Sequence, residues 1–371
     1  MFRLQKTAFP IMNLFLILFG LASLCLVSSK VNSRKKSWNQ FKIDFNKTYE
    51  DAAQEQRREK IFVESLKTIA YHNLKFRRGK VSFKMGINQF ADMSLDEYRK
   101  AYVPTEDTIE EAEKIILKLA KPVASYSEDD VCEPLDIPES FDWRDQGAVT
   151  KVNDQLSCGS CYAMASLGAL ESRWFLKTGV LTELSVQEIV DCSDSYHNYR
   201  CEGGISFQVL EYVKDFGISS AESYLYVGID GECQRKKNKI FFDLEGFGVV
   251  RSSQNFVLLK VLATDGPLAI FLDLSHETFM RYSGGIYYEP RCSSETNHAA
   301  LLVGYGSEEG QDYWIIKNSF GTKWGEGGYM KIARNLDNDC GIKSLPIYPV
   351  FTTTSSEELQ KDELLCRKTF K

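Results

Sequence analysis

The segment running from Gln155 to Met164, Gln-Leu-Ser-Cys-Gly-Ser-Cys-Tyr-Ala-Met, constrains this chain more than any other. Cys161 opens an apolar run through Ala163, Met164, Ala165, Leu167, Ala169 and Leu170, which closes on Trp174, Phe175 and Leu176 before Thr178-Gly179. A run of this kind, free of proline and stopped by glycine, predicts a buried helix with Cys161 at its N-terminus. That end carries a partial positive charge and unpaired N–H groups, which favour a thiolate over a thiol.

What ten cysteines mean depends on the compartment. Arg3 and Lys6 precede a nearly unbroken apolar run from Ile11 to Val27, followed by Ser28 and Ser29, the pattern of a secretory signal peptide spanning 1–29. An uncleaved signal anchor is the alternative, opposed by the basic cluster Lys30, Arg34, Lys35 and Lys36 on the far side of the run. Either route leads into the secretory pathway and an oxidising lumen, where disulfides are the default. The net charge of −6 conceals a polarity: residues 30–103 hold 17 Lys+Arg against 9 Asp+Glu, and residues 132–371 hold 23 against 34. Segments of opposite sign suggest that the first docks on the second, whereas two independently solvated surfaces are the plainer reading. Nothing in the composition points to nucleic acid.

Between Ser37 and Lys80 two amphipathic helices are expected, one with Trp38, Phe41 and Phe45, the other with Ile61, Phe62, Leu66, Ile69 and Leu74. Asn46-Lys47-Thr48 between them is an N-glycosylation acceptor. Val81, Phe83 and Met85 alternate like a short strand. Residues 104–131 turn acidic and small, as in an exposed, cleavable linker. A globular region follows from 132 to 351, with short helices predicted at Ser185 to Val190 and Phe207 to Phe216. Beyond Phe241 the runs Gly246 to Val250, Leu268 to Leu272, Gly285 to Tyr288, Ala299 to Val303, Tyr313 to Lys317 and Tyr329 to Ile332 read as strands. Helices followed by strands indicate an α+β fold with a helical half and a β half. Residues 352–371 form a C-terminal extension; its Lys361-Asp362-Glu363-Leu364 resembles a lumenal retention signal but lies short of the terminus, where a receptor would not read it.

The pair Cys158 and Cys161 fits three chemistries: a redox couple, half of a zinc site, or a structural cysteine beside a nucleophile. Zinc lacks a second closely spaced pair, and redox chemistry lacks its βαβ surroundings. A nucleophile needs a histidine base and a polar group to orient it. Of four histidines, His298, directly before an apolar strand, is best placed, and Asn318, just past another, supplies the amide that fixes its tautomer.

These residues resemble the papain family of cysteine proteases, in particular its cathepsin L branch. Cys-Gly-Ser-Cys-Tyr carries the signature, with His298 and Asn318 following 137 and 157 residues after Cys161, the latter in Asn-Ser-Phe-Gly-Thr-Lys-Trp-Gly. Arg58, Phe62, Ile69 and Asn73 stand at the spacing of the family's helical prodomain, and Gly86, Asn88, Phe90 and Asp92 match its second motif; Gln54 and Ser65 depart from it. The resemblance implies a two-lobed fold, a helical left lobe and a β-barrel-like right lobe, preceded by an inhibitory prodomain at 30–103. It implies a zymogen of a thiol endopeptidase in which Gln155 and the Cys161 N–H hold the oxyanion. It further implies the pairs Cys158–Cys201, Cys192–Cys233 and Cys292–Cys340, no metal and no cofactor, protein and peptide substrates, cystatin-type inhibitors and a monomer. A bridge between Cys132 and Cys366 is a further expectation. Acid is expected to weaken prodomain docking by protonating carboxylates on the acidic part.

By the same resemblance Gly203 and Gly204 line the cleft, and Ile205, Ser206, Phe271, Ala299 and Leu345 form the subsite for the residue two before the scissile bond. Its character favours an apolar side chain over Arg or Lys. Asn297 beside the base can hydrogen-bond without charge. Tyr162 replaces the usual Trp after the nucleophile, and Phe320 replaces the Trp that shields the His–Asn bond, which predicts weaker shielding rather than lost activity. A protein that kept the fold for binding or inhibition, and an enzyme that ligates peptides, are the other readings.

Overall fold

The computed structural model describes residues 36–104, 114, 118–127, 137–234, 237–252 and 254–352. The signal segment, Cys132, Cys366 and the C-terminal extension lie outside the described residues. Two compact units divide the chain, residues 1–65 and 66–371.

In the first unit, α1 (residues 36–44) and the start of α2 (Ala52–Arg77) join around aromatic rings. Trp38 stacks on Phe41 at 5.5 Å and on Tyr49 at 5.6 Å, and Phe62 meets Phe41 at 4.8 Å. Glu55 accepts from the Trp38 indole and pairs with Lys42. Asn46 sits exposed in the turn between the helices.

The second unit begins within α2 and continues through β1 (Phe83–Met85) and α3 (Leu95–Tyr102). Ser94 and Glu97 form a reciprocal capping box that starts α3. The division at 65/66 therefore places the later part of the expected prodomain in one body with the peptidase region.

Two cores follow. The helical one is built on α4 (Cys161–Thr178), α5 (Val186–Cys192) and α6 (Ser206–Phe216). α4 ends at Gly179, whose φ of +75° supplies the left-handed C-cap. Gly168 lets α4 approach the sheet, since a Cβ there would lie 3.0 Å from Leu301.

The second core is formed by strands and the helices lying on them. The strands are β2 (Ala124–Tyr126), β3 (Phe141–Asp142), β4 (Leu244–Val250), β5 (Leu268–Leu272), β6 (Tyr282–Tyr287), β7 (His298–Glu308), β8 (Gln311–Lys317), β9 (Tyr329–Ala333) and β10 (Ile347–Phe351). Their path is β1-β6-β9-β8-β7-β5-β10-β4-β2, with β3 on β7. Among the described residues this sheet is open rather than closed into the expected barrel-like lobe. β1 adds antiparallel to β6, joining the N-terminal region to the sheet through backbone bonds.

Between the strands expected at Gly246 to Val250 and Leu268 to Leu272 lies an element that the sequence leaves unassigned, the helix α7 (Asn255–Asp265). Its sequence, Asn-Phe-Val-Leu-Leu-Lys-Val-Leu-Ala-Thr-Asp, is apolar on nearly every face, so periodicity gives no signal. Val257, Leu258, Val261 and Leu262 enter the sheet core.

Candidate active site

Cys161 is the first residue of α4 and the one free cysteine among the described residues. Ser160 before it makes no side-chain cap; its hydroxyl meets Tyr226 Oη at 2.7 Å instead. Burial pushes the Cys161 thiol up, and the backbone N–H groups of Ala299, Tyr162 and Cys161 itself pull it down. In the full-length chain desolvation outweighs the helix end, so the thiol form is favoured. The Ala299 contact places the sulfur at the head of β7, one residue from His298.

His298, buried at that head, bonds through Nε2 to Asn318 Oδ1 at 2.8 Å. Nδ1 is therefore the nitrogen left for proton exchange. Burial pushes the imidazole down to about 4, against which the Asn318 bond works. Asn318 follows β8, and its Oδ1 also accepts the Ser319 N–H at 2.8 Å.

Phe320, 1% exposed, covers this pair with its ring 5.3 Å from the imidazole. The position thus retains an aromatic cover, with Trp324 at 5.7 Å behind it.

Gln155 is clamped from several sides. Its N–H donates to Ser319 O at 2.8 Å, its Oε1 accepts from Ser319 Oγ at 2.5 Å, and its carbonyl accepts from Tyr226 Oη at 2.8 Å. Nε2 donates to Cys158 O at 3.0 Å, which leaves its second hydrogen uncommitted. Leu156 follows at φ +57°, a left-handed conformation unusual for a branched side chain, with its N–H held by Asp154 Oδ1. Sequence reasoning missed Ser319 and Tyr226. Adjacency to Asn318 was the only signal for the first, and the second lies too far along the chain to leave one.

It also missed a buried bridge under the site. Glu171 on α4 accepts from Thr150 Oγ1 at 2.6 Å and from the Leu184 N–H at 2.8 Å, and Lys317 at the end of β8 donates to Thr150 at 3.0 Å. Burial raises the Glu171 carboxyl and lowers the Lys317 ammonium, while each charge favours the other. The bridge ties the helix of Cys161 to the strand that leads into Asn318.

Cys158–Cys201, Cys192–Cys233 and Cys292–Cys340 are joined. The first brings Gly159 N to 2.8 Å from Cys201 O, beside Gly203 and Gly204. A Cβ at Gly204 would lie 2.6 Å from the Tyr162 ring, so glycine is required there. Ile205, Phe271, Ala299 and Leu345 belong to one apolar cluster with Met164 and Cys161, and β5–β7 pairing sets Phe271 opposite Ala299. Ser206 is fully buried, its carbonyl accepting from Ser166 Oγ. The Asn297 amide is engaged inside the protein, donating to Asp273 Oδ1 and accepting from the Leu274 N–H, both at 2.9 Å. Asp273, His276 and Cys292 cluster with ligand-like spacing, but Cys292 is spent in a disulfide and offers no thiolate.

Residues 137–350 match the family model of papain family cysteine proteases. The chain belongs to the papain family of cysteine proteases. Residues 38–98 match the cathepsin propeptide inhibitor domain (I29), so this papain-type cysteine peptidase is made with a propeptide. Cathepsin L of Sarcophaga peregrina is 41% identical over 335 residues, covering 90% of this chain and 97% of its own. Digestive cysteine proteinase 1 of Homarus americanus is 40% identical over 341 residues, covering 90% and 98%. Among solved structures, digestive procathepsin L2 proteinase from Tenebrio molitor larval midgut superposes with a TM-score of 0.76 at 37% identity, covering 86% of this chain and 100% of that one.

The propeptide region meets the peptidase at the site's edge. Gln89 Nε2 donates to Phe320 O at 2.6 Å, Asn88 Nδ2 to Met280 O at 2.8 Å, and Arg281 reaches the carbonyls of Phe90 and Met93. Arg281 also feels the charge of Asp92. At this contact the base lies on the peptidase and the acid on the propeptide, the reverse of the overall charge polarity.

Proposed function

We propose that the chain is the zymogen of a cysteine endopeptidase in which Cys161, His298, Asn318 and Gln155 carry the reaction. His298 Nδ1 takes the thiol proton as Cys161 attacks the peptide carbonyl carbon. The carbonyl oxygen becomes an oxyanion held by the Cys161 N–H and Gln155 Nε2. Collapse breaks the C–N bond, the amine leaves with the proton from His298, and a thioester remains. Water, deprotonated by His298, then releases the acid and restores the thiol. Asn318 keeps Nε2 engaged throughout. The observation that carries this reading is the 2.8 Å His298–Asn318 bond together with the Ala299 N–H directed at the Cys161 sulfur.

The subsite of Ile205, Ser206, Phe271, Ala299 and Leu345 takes an apolar residue two before the scissile bond, an assignment supported by the shared apolar cluster. Gly203 and Gly204 bind the substrate backbone from one side, and Asn297 shapes the region beside the base through its own tethering. Residues 30–103 act as prodomain, 104–131 as a processing linker and 132–351 as the enzyme, which works as a monomer, is open to cystatin-type inhibitors and acts in a lysosome-like compartment or outside the cell. The exposed Asn46 turn accepts a glycan.

Acid-treated protein, incubated with an epoxide-type thiol inhibitor and a peptide substrate beside Cys161→Ala, tests the reading. Labelling and hydrolysis are both expected, and both absent in the variant. Labelling without hydrolysis overturns it in favour of a binding role.

A further inference from the structure

A cavity of about 230 Å³ opens between residues 66–77 of α2, α3 and the chain from His276 to Arg291, and His72, Lys75, Arg99, His276, Glu277 and Arg291 supply its charged and titratable walls. Of the acids in and around it, two are ion-paired and a third is held by the Ser275 and Ser293 N–H groups and the Asn297 amide. Glu277 pairs with Arg281, Glu289 with Arg291, and Asp273 lies 3.2 Å from His276. Lys75 stacks on the Tyr71 ring at 4.5 Å, and Arg99 donates Nε to Ser275 O at 2.8 Å. Neither contact involves a carboxylate, so Lys75 and Arg99 line the cavity outside those ion pairs. His72 bonds to Phe83 O at 3.0 Å, and it too is directed at this space.

We propose that this cavity binds a divalent oxyanion of the sulfate or phosphate class through Lys75 and Arg99. A guanidinium fork from α3 and an ammonium from α2, both lining one cavity, are the donor types that suit the oxygens of a tetrahedral anion. The walls come from both parts of the chain, Lys75 and Arg99 from the propeptide region, His276 and Arg291 from the peptidase. The complete site therefore exists only while the propeptide is docked, and an anion bound there stabilises the docked state by mass action. Burial and Lys75 hold the His72 imidazole down, with Phe83 O and Glu289 opposing. A bound anion favours its protonated form, so affinity rises as the pH falls.

The experiment uses full-length Cys161→Ala protein, which cannot process itself, and follows its melting midpoint at constant ionic strength as sodium sulfate replaces sodium chloride. A saturable rise of roughly 2–4 °C is expected. The Lys75→Ala/Arg99→Ala protein should keep only the unsaturating rise that sulfate gives to folded proteins in general. A parallel arm with a sulfated polysaccharide at equal sulfate concentration separates a free ion, which acts alone, from a sulfate ester, which acts only on the polymer. Calorimetric titration of the exposed single variant Arg99→Gln, expected to bind sulfate about tenfold more weakly, guards against misfolding of the double variant. An unsaturating response, or a saturable one that survives these substitutions, overturns the proposal. No readout depends on hydrolysis, so the result stands apart from the assignment of the catalytic residues.

Discussion

The ring of Phe320 lies 5.3 Å from the imidazole of His298, inclined by 32°, and receives Phe90 edge-on at 5.1 Å and Tyr102 at 5.5 Å. One side chain thus covers the His298–Asn318 bond and forms the seat of the propeptide. Phe320 is fully enclosed, so a larger ring has no room while the propeptide is docked. Phe320→Trp is expected to overpack that seat by about 1–3 kcal/mol. The full-length protein should release its propeptide at a higher pH than the parent, as followed by gel mobility across a pH series. An unchanged processing pH together with an unchanged melting midpoint would rule this coupling out.

Two imidazoles give docking a defined pH dependence. His298 is held down at about 4 and His72 is also lowered, both chiefly by burial. A base whose value is depressed in the docked state binds protons more tightly once exposed. Its contribution to docking is complete above the ordinary imidazole value of about 6.5 and is lost as the pH falls through that value toward about 4. His72→Gln, which keeps a donor for Phe83 O, should flatten the rate of propeptide release over this window. A profile identical to the parent's would remove His72 from the account.

Gln155 is positioned by Ser319 and Tyr226 before any substrate arrives. Gln155→Ala is expected to lower kcat by about 10²–10³ with little change in KM. Ser319→Ala, which releases only Oε1, should lose a smaller part of kcat. Steady-state kinetics on a single peptide decide both, and a loss confined to KM would contradict the oxyanion role.

Glu171 holds Lys317 in the interior. Glu171→Ala leaves the Thr150 hydroxyl and the Leu184 N–H without their acceptor and removes the charge that favours the buried ammonium, at an expected cost of about 1–3 kcal/mol in denaturant unfolding. Denaturation midpoints within experimental error of the parent would mean that the bridge is not coupled to stability.

Phe271 faces Ala299 across β5 and β7. Phe271→Ala enlarges the proposed subsite, and the ratio of kcat/KM for substrates with Phe over Leu two before the scissile bond should rise about tenfold. An unchanged ratio would place the subsite elsewhere.

The sequence by itself determined the nucleophile's helix, because an apolar run from Cys161 to a left-handed Gly179 is a local signal that survives any packing. It determined the strands carrying His298 and leading into Asn318 for the same reason, and the family motifs named the residues at their ends. The tertiary structure alone decided what surrounds them. α7 was hidden because apolar residues on nearly every face blur the periodicity, although only Val257, Leu258, Val261 and Leu262 are buried. Tyr226 on Gln155, Phe90 on Phe320 and Asp273 on Asn297 are meetings of residues far apart in the chain, and no pattern within a few turns of either partner records them. The helix end promised a thiolate, yet the thiol is raised, since burial at the head of β7 is a property of the folded chain and outweighs a dipole that the sequence does reveal.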